Sequence, residues 1–202
     1  MNAQINMKGK EKKDLIPGMA GNARVSLNQG LIRGSQTIIK ILNFLSIQNI
    51  YKKKPPELTG EGFYFEGMNA DIIIDKGILN TNNFVMSSPV FNAVGYGKAE
   101  IPSRSIDFIL GVQPHETIDS LVGLIPILGY IIEGEKESIL LYSFKIKGPF
   151  SNPDVSFVPF ENLGEGIGGI LKRLLLSPIK MLQDLNNTSS KSQKNDPAGT
   201  DQ

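Results

Sequence analysis

The sequence has no cysteine, no tryptophan and a single histidine, and it has almost no excess of either charge: 21 Lys and Arg stand against 20 Asp and Glu. Without cysteine there is no disulfide framework, thiolate zinc site or thiol nucleophile, and redox usage says nothing of compartment. A formal net charge of +1 supplies no global field for gathering nucleic acid. Two short basic clusters, Lys8–Lys13 and Lys52–Lys54, interrupt this neutrality and read as solvated faces or as contacts for anionic headgroups. Long apolar runs are missing too. The longest, LVGLIPILGYII at 121–132, is interrupted by Gly123, Pro126 and Gly129 and falls short of the roughly 20 residues that span a bilayer. The amino terminus, MNAQINMKGKEKKD, is polar where a secretory signal carries an apolar core, so neither a signal peptide nor a membrane anchor is expected.

Catalytic motifs are equally scarce. His115 sits in a Gln-Pro-His-Glu stretch and reads as a surface-loop residue, because a histidine-centred triad would have to assemble every other member around it. The carboxylates Asp71/Asp75 and Glu133/Glu135/Glu137 fall in turns or on a polar strand face, where nothing shifts them toward acid–base work. GEGIGG at 164–169 lacks the lysine-serine pair or the upstream strand of a phosphate loop and reads as a hinge before a helix. These features imply no enzyme, no metal and no cofactor.

What the chain does have is alternation. Its 202 residues suit one domain with tails: a poorly ordered leader at 1–20, an ordered region at 21–185, and a disordered polar tail at 186–202. ARVSLNQGLI at 23–32 is echoed by ADIIIDKGIL at 70–79, each read as a half-buried strand entering a glycine turn. Ala23, Val25 and Leu27 share one face, as do Ala70, Ile72 and Ile74, while Arg24, Ser26, Asp71 and Asp75 point the other way. A turn at Asp75-Lys76-Gly77 leads into a strand carrying Phe84 and Met86. Further hairpins pair 90–101 with 104–114, where Ile106, Phe108, Leu110 and Val112 form an apolar face, and 138–148 with 154–160. Gly95 and Gly97 in mid-strand indicate a bend or a close backbone approach.

Three stretches have helical character. Residues 35–48 place Ile38, Ile41, Leu42 and Leu45 at helical spacing behind a Ser35 cap. The 118–132 stretch, with Leu124 and Ile127, is apolar nearly all round, so it must be buried or lie against something apolar. Residues 166–185 set Ile170, Leu171, Leu174 and Leu175 against Lys172 and Arg173 and restart at Ser177-Pro178. Leu124, Ile127, Leu171, Leu174 and Leu175 are candidates for membrane or partner docking, with core packing as the alternative for the last helix. The expected fold class is β-rich α+β: a curved, mostly antiparallel sheet, a half-barrel or groove, with a few packed amphipathic helices. Its apolar face supplies candidate lipid-facing residues Ile72, Ile74, Phe84, Met86, Phe108 and Leu110.

The order of these features, from NADIIIDKGILN through VGYGKAEIPSRSIDFILGVQP and LIPILGYII to YSFKIKGPFSNPDV and a closing amphipathic helix, resembles the carboxy-terminal region of AsmA-like proteins, particularly the YhdP branch, over about residues 21–183. The resemblance implies an envelope protein of two-membrane bacteria, placed in the periplasm, membrane-associated, and working with an upstream anchored AsmA-like segment. It implies phospholipid transport between inner and outer membrane through an apolar β-groove, in support of outer-membrane lipid homeostasis. The implied partners are phospholipid acyl chains and a membrane surface or envelope proteins, with no nucleic acid. A second reading from a different class is a non-enzymatic interaction or structural module, or a truncated fragment of one, that docks by sheet augmentation and apolar helices.

Overall fold

The computed structural model describes residues 2–7, 15–47, 62–115, 130–133 and 138–176. They build one antiparallel sheet of nine strands flanked by two helices. The strands are β1 (Asn2–Met7), β2 (Met19–Ile32), β3 (Phe63–Asp75), β4 (Ile78–Ser87), β5 (Phe91–Glu100), β6 (Ser105–Pro114), β7 (Tyr130–Glu133), β8 (Ser138–Pro149) and β9 (Asp154–Phe157). The order across the sheet is β1-β2-β3-β4-β5-β6-β8-β7, and β9 pairs with β8. Helix α1 (Gln36–Ile47) follows β2; a 3-10 turn (Phe160–Leu163) and helix α2 (Gly164–Leu176) follow β9. This is the β-rich, open and curved sheet that the alternation implies.

Local chemistry accounts for the joints. Asp75 pairs with Ile78, so Lys76 and Gly77 form a two-residue hairpin loop, with φ of 51° and 74°. Positive φ at both positions gives the turn whose twist matches the flanking strands, and glycine takes its place there without a Cβ penalty. Ser88, fully buried at the β4–β5 corner, accepts hydrogen bonds from the Val90 and Phe91 amides and donates to the Phe91 carbonyl at 2.7 Å. The Ile38 amide donates to Ser35 Oγ at 3.3 Å, capping α1 as its sequence predicts.

Two cores lie on opposite faces of the sheet. On one, Ile38, Ile41, Leu42 and Leu45 of α1 pack with Phe63, Phe65, Met86, Phe91, Leu110, Val112, Tyr142 and Phe144. On the other, Leu171 and Leu175 of α2 pack with Val94, Leu141, Phe160 and Leu163. Phe44 ties α1 to the β8 and β9 strands on the same face, stacked on Phe157 at 5.1 Å and edge-on to Phe144 at 5.2 Å.

Several readings of the sequence are corrected here. Residues 130–132, placed at the end of an apolar helix, belong to β7, with Tyr130 opposite Leu141; a short apolar run does not distinguish a buried strand from a helix by periodicity. The rest of that stretch, with Leu124 and Ile127, lies outside the described residues, as do Ser177-Pro178 and the tail. GEGIGG is no hinge: α2 starts at Gly164 and contains it. A Cβ on Gly168 would stand 3.1 Å from the Phe160 ring, so this glycine serves a close approach. Gly30 is not a turn either. It lies within β2 beneath the ring of Phe65, 2.6 Å from where its Cβ would be, so the echo between 23–32 and 70–79 ends before its glycines. Within the stretch read as a leader, Asn2–Met7 pairs with β2, Ala3 opposite Ala23 and Met7 opposite Met19, and Met19 is buried.

Candidate functional site

Strand register sorts the candidate residues. Ala23 lies opposite Ile72, Val25 opposite Ala70, and Ile74 opposite Leu79. Leu79 faces Ala99, which faces Ile106; Phe84 faces Gly95, which faces Leu110; Met86 faces Ala93. Directly opposed residues of antiparallel strands point to the same side. Ile72, Ile74, Phe84, Met86, Phe108 and Leu110 therefore all lie on the α1 face. Simple alternation would not bring Leu79 and Phe84 together. One extra residue in β4, between Thr81 and Phe84, shifts the pairing with both β3 and β5, and this bulge restores the apolar side chains to one face.

The bulge is pinned from the opposite face. Asn83 Oδ1 accepts the Asp71 amide at 2.8 Å, and Asn83 Nδ2 donates to Asp71 Oδ2 at 2.9 Å. Arg24 Nε donates to Asp71 Oδ1 at 2.6 Å. That Arg24 hydrogen bond, opposed by a smaller effect of burial and aided by Asn83, holds the Asp71 carboxyl below the usual carboxylate range. Sequence reasoning placed Arg24 and Asp71 on the polar face but did not foresee Asn83 as the partner, because that role depends on the bulge. On this polar side a shallow open hollow is lined by Gln4, Asn22, Arg24, Asp71 and Ile73.

The α1 face falls into two halves. Beneath α1, Met86 and Leu110 are buried at 5% and 7% exposure within the core. Toward β1 no described helix covers the sheet, and the apolar surface continues through Met68, Ala70, Ile72, Val25 and Ala23. Ile72, Phe84 and Phe108 are half-buried, Ile74 is buried, and Leu27 and Ile5 are exposed. Phe84 and Phe108 meet edge to face at 5.8 Å on the boundary between the halves. Phe108 can lie flat there because Gly95 and Gly97 are bare: a Cβ on Gly95 would run into its ring, and one on Gly97 would lie 2.6 Å from its Cα. Among the described residues this strip carries no titratable side chain. It offers dispersion and water exclusion, and no bond-making chemistry.

The other candidates are placed as follows. Leu171 and Leu175 are buried against the sheet at 0% and 3% exposure, and Leu174 is half-buried beside them, so the apolar face of α2 is taken up by packing. His115 is exposed at the end of β6, its amide donating to the Val90 carbonyl. Among the described residues no group of three or more His, Asp or Glu side chains could hold a metal ion, and no helix is long and apolar enough to cross a membrane.

No curated protein and no solved structure matches this chain. A family model described as YhdP protein matches residues 1–155, about three quarters of the 202 residues, and so takes in β1 to β8 and the six candidate lipid-facing residues. The chain belongs to the YhdP family of AsmA-like envelope proteins.

Proposed function

We propose that the half of the α1 face that no described helix covers is an acyl-chain strip, and that the chain serves phospholipid movement through the bacterial envelope as a non-enzymatic module. The observation that carries this reading is a continuous apolar surface that passes from a sealed core under α1 to the half-buried Ile72 and Val25, over which no described helix lies. Each methylene moved from water onto such a surface gains about 0.8 kcal/mol. No single anchor on it would halt a sliding chain, while headgroups could stay in water at the strip's margin. Membership of the YhdP family supports an envelope setting; periplasmic placement and traffic between the two membranes belong to the proposal.

The test is photo-crosslinking. A crosslinking residue at 72 or 108 is expected to capture phospholipid, and one at Asp71, which faces the opposite side, is expected to capture none. Ile72→Asp should abolish capture at 108 while leaving the strand signal in circular dichroism unchanged. Equal capture from both faces, or none from either in folded protein, would return the strip to an ordinary core surface. A second reading is favoured by one observation: β1 ends the sheet and its outer edge is unpaired among the described residues. It carries no lysine or proline to block pairing, so it could extend onto a strand of a partner.

A further inference from the structure

One end of the sheet is a continuous rim of turns. The Gly77 amide donates to the Met19 carbonyl at 3.2 Å, the Ile101 amide to the Gly77 carbonyl at 3.0 Å, and the Phe150 amide to the Arg104 carbonyl at 2.9 Å. These bonds join the turn that leads into β2 (residues 15–18) and the β3–β4, β5–β6 and β8–β9 turns side by side. From β2 to β8 the rim crosses five strand spacings, about 24 Å at about 4.8 Å each.

Its composition is unusual in two respects. Of the eight large hydrophobic residues exposed on the described surface, three project here: Leu15 at 36%, Ile16 at 40% and Phe150 at 46%. Of the three non-glycine residues with positive φ, two are also here, and both are basic: Lys76 at 51° and Arg104 at 52°. Both side chains are exposed. Of the nearby carboxylates, Glu100 is occupied by Lys98 at 2.7 Å and by Ser103, leaving Asp75 as the acid of the β3–β4 turn.

We infer that this rim is a docking surface for an anionic phospholipid bilayer, with Leu15, Ile16 and Phe150 entering the interface and Lys76 and Arg104 meeting headgroup phosphates. Apolar tips flanked by cations on a rigid line suit a flat, negatively charged, interfacially apolar surface. The rim also closes the end of the α1 face where Ile74, Leu79 and Ile106 lie, so a bilayer seated there would meet the open strip at its margin.

The experiment is flotation of the full chain with vesicles of phosphatidylcholine containing 30% phosphatidylglycerol, alongside vesicles of pure phosphatidylcholine. Wild type is expected to float with the anionic vesicles and to be released by salt. Lys76→Asn/Arg104→Asn, which keeps residues tolerant of the left-handed region, should weaken binding by about 30-fold. Leu15→Ser/Phe150→Ser should weaken it as well, whereas Ile73→Ser, an exposed change on β3 away from the rim, should leave it unaltered. Wild type that ignores both vesicles would overturn the inference and point to a protein-facing rim. Rim variants that float like wild type, or an Ile73→Ser variant that loses as much, would also overturn it. Vesicle binding is read without lipid capture, so this result stands or falls separately from the acyl-chain strip.

Discussion

Gly95→Ala probes how the apolar strip is built. Gly95 lies in β5 opposite Phe84 on one side and Leu110 on the other, and its φ is outside the left-handed region, so alanine meets a steric objection and no conformational one. The new methyl would collide with Cε1 of Phe108, stand 3.0 Å from Cζ of the same ring, and stand 2.8 Å from the Ile109 carbonyl oxygen. Overpacking of this kind costs about 1–3 kcal/mol, against which alanine recovers about 0.4–1 kcal/mol from the unfolded chain. A net loss near 1.5 kcal/mol lowers the melting temperature by about 3–6 °C for a chain of this size. Two of the three close atoms belong to the ring, so Phe108→Leu should relieve most of the strain. Thermal and urea denaturation of the two single variants and the double variant should show a coupling of about 1 kcal/mol, the double being more stable than the sum of the singles. Gly97→Ala supplies the contrast: its φ of 149° and its two closest contacts, with Asp107 and Phe108 backbone atoms, persist whatever the ring does, and only the third, at 2.8 Å, is with ring Cδ2, so Phe108→Leu should rescue it far less. Additive losses for Gly95→Ala and Phe108→Leu, or no loss for Gly95→Ala, would refute the flat-ring account of the strip.

Leu171→Ala, at a fully buried position of α2, should cost about 2–5 kcal/mol in denaturant unfolding, and Leu174→Ala, at a half-buried one, distinctly less; equal costs would mean that α2 is not seated as described. Tyr142 is fully buried and its hydroxyl has no hydrogen-bond partner among the described residues, so Tyr142→Phe should leave the melting temperature unchanged or raise it. Burial pushes the Tyr142 hydroxyl up to about 12 from about 10. The unfolded chain therefore ionises first as pH rises, and the contribution of this group to stability is intact below about pH 10 and lost between about 10 and 12. Tyr142→Phe should flatten that part of the pH–stability curve, and an unaltered slope would count against the burial.

Much of the sheet was legible because its signals are local. Period-two alternation marked β2, β3, β6 and β8, the Lys76-Gly77 pair marked a hairpin, and Ser35 with Ile38, Ile41, Leu42 and Leu45 marked α1. The features that were not legible depend on distant partners. The β4 bulge shows only when β4 is laid between β3 and β5, and the roles of Gly30, Gly95 and Gly168 follow from rings carried on other elements. β7 was hidden by composition, since Tyr130, Ile131 and Ile132 suit an apolar helix as well as a strand until β8 offers its edge. The candidate strip was legible in which residues share a face. Which of them α1 covers could not be read, because the helix's position is set by Phe44 packing on Phe144 and Phe157, about a hundred residues away in the chain.

The strand order has a consequence for assembly. β3, β4, β5 and β6 are consecutive neighbours joined by short turns, so their pairing closes only small loops. The two flanks are different. β2 reaches β3 only after the chain has passed through α1, and β8 enters between β6 and β7 although β7 precedes it in the chain. Closing such longer loops costs entropy before any contact repays it, which favours local hairpins as the early structure. A β3–β6 meander would then be the template on which the β1–β2 ribbon and the β7–β8 hairpin dock as preformed pieces. The half that bears the strip, at the β1–β2 side, would then be among the last parts of the sheet to be completed.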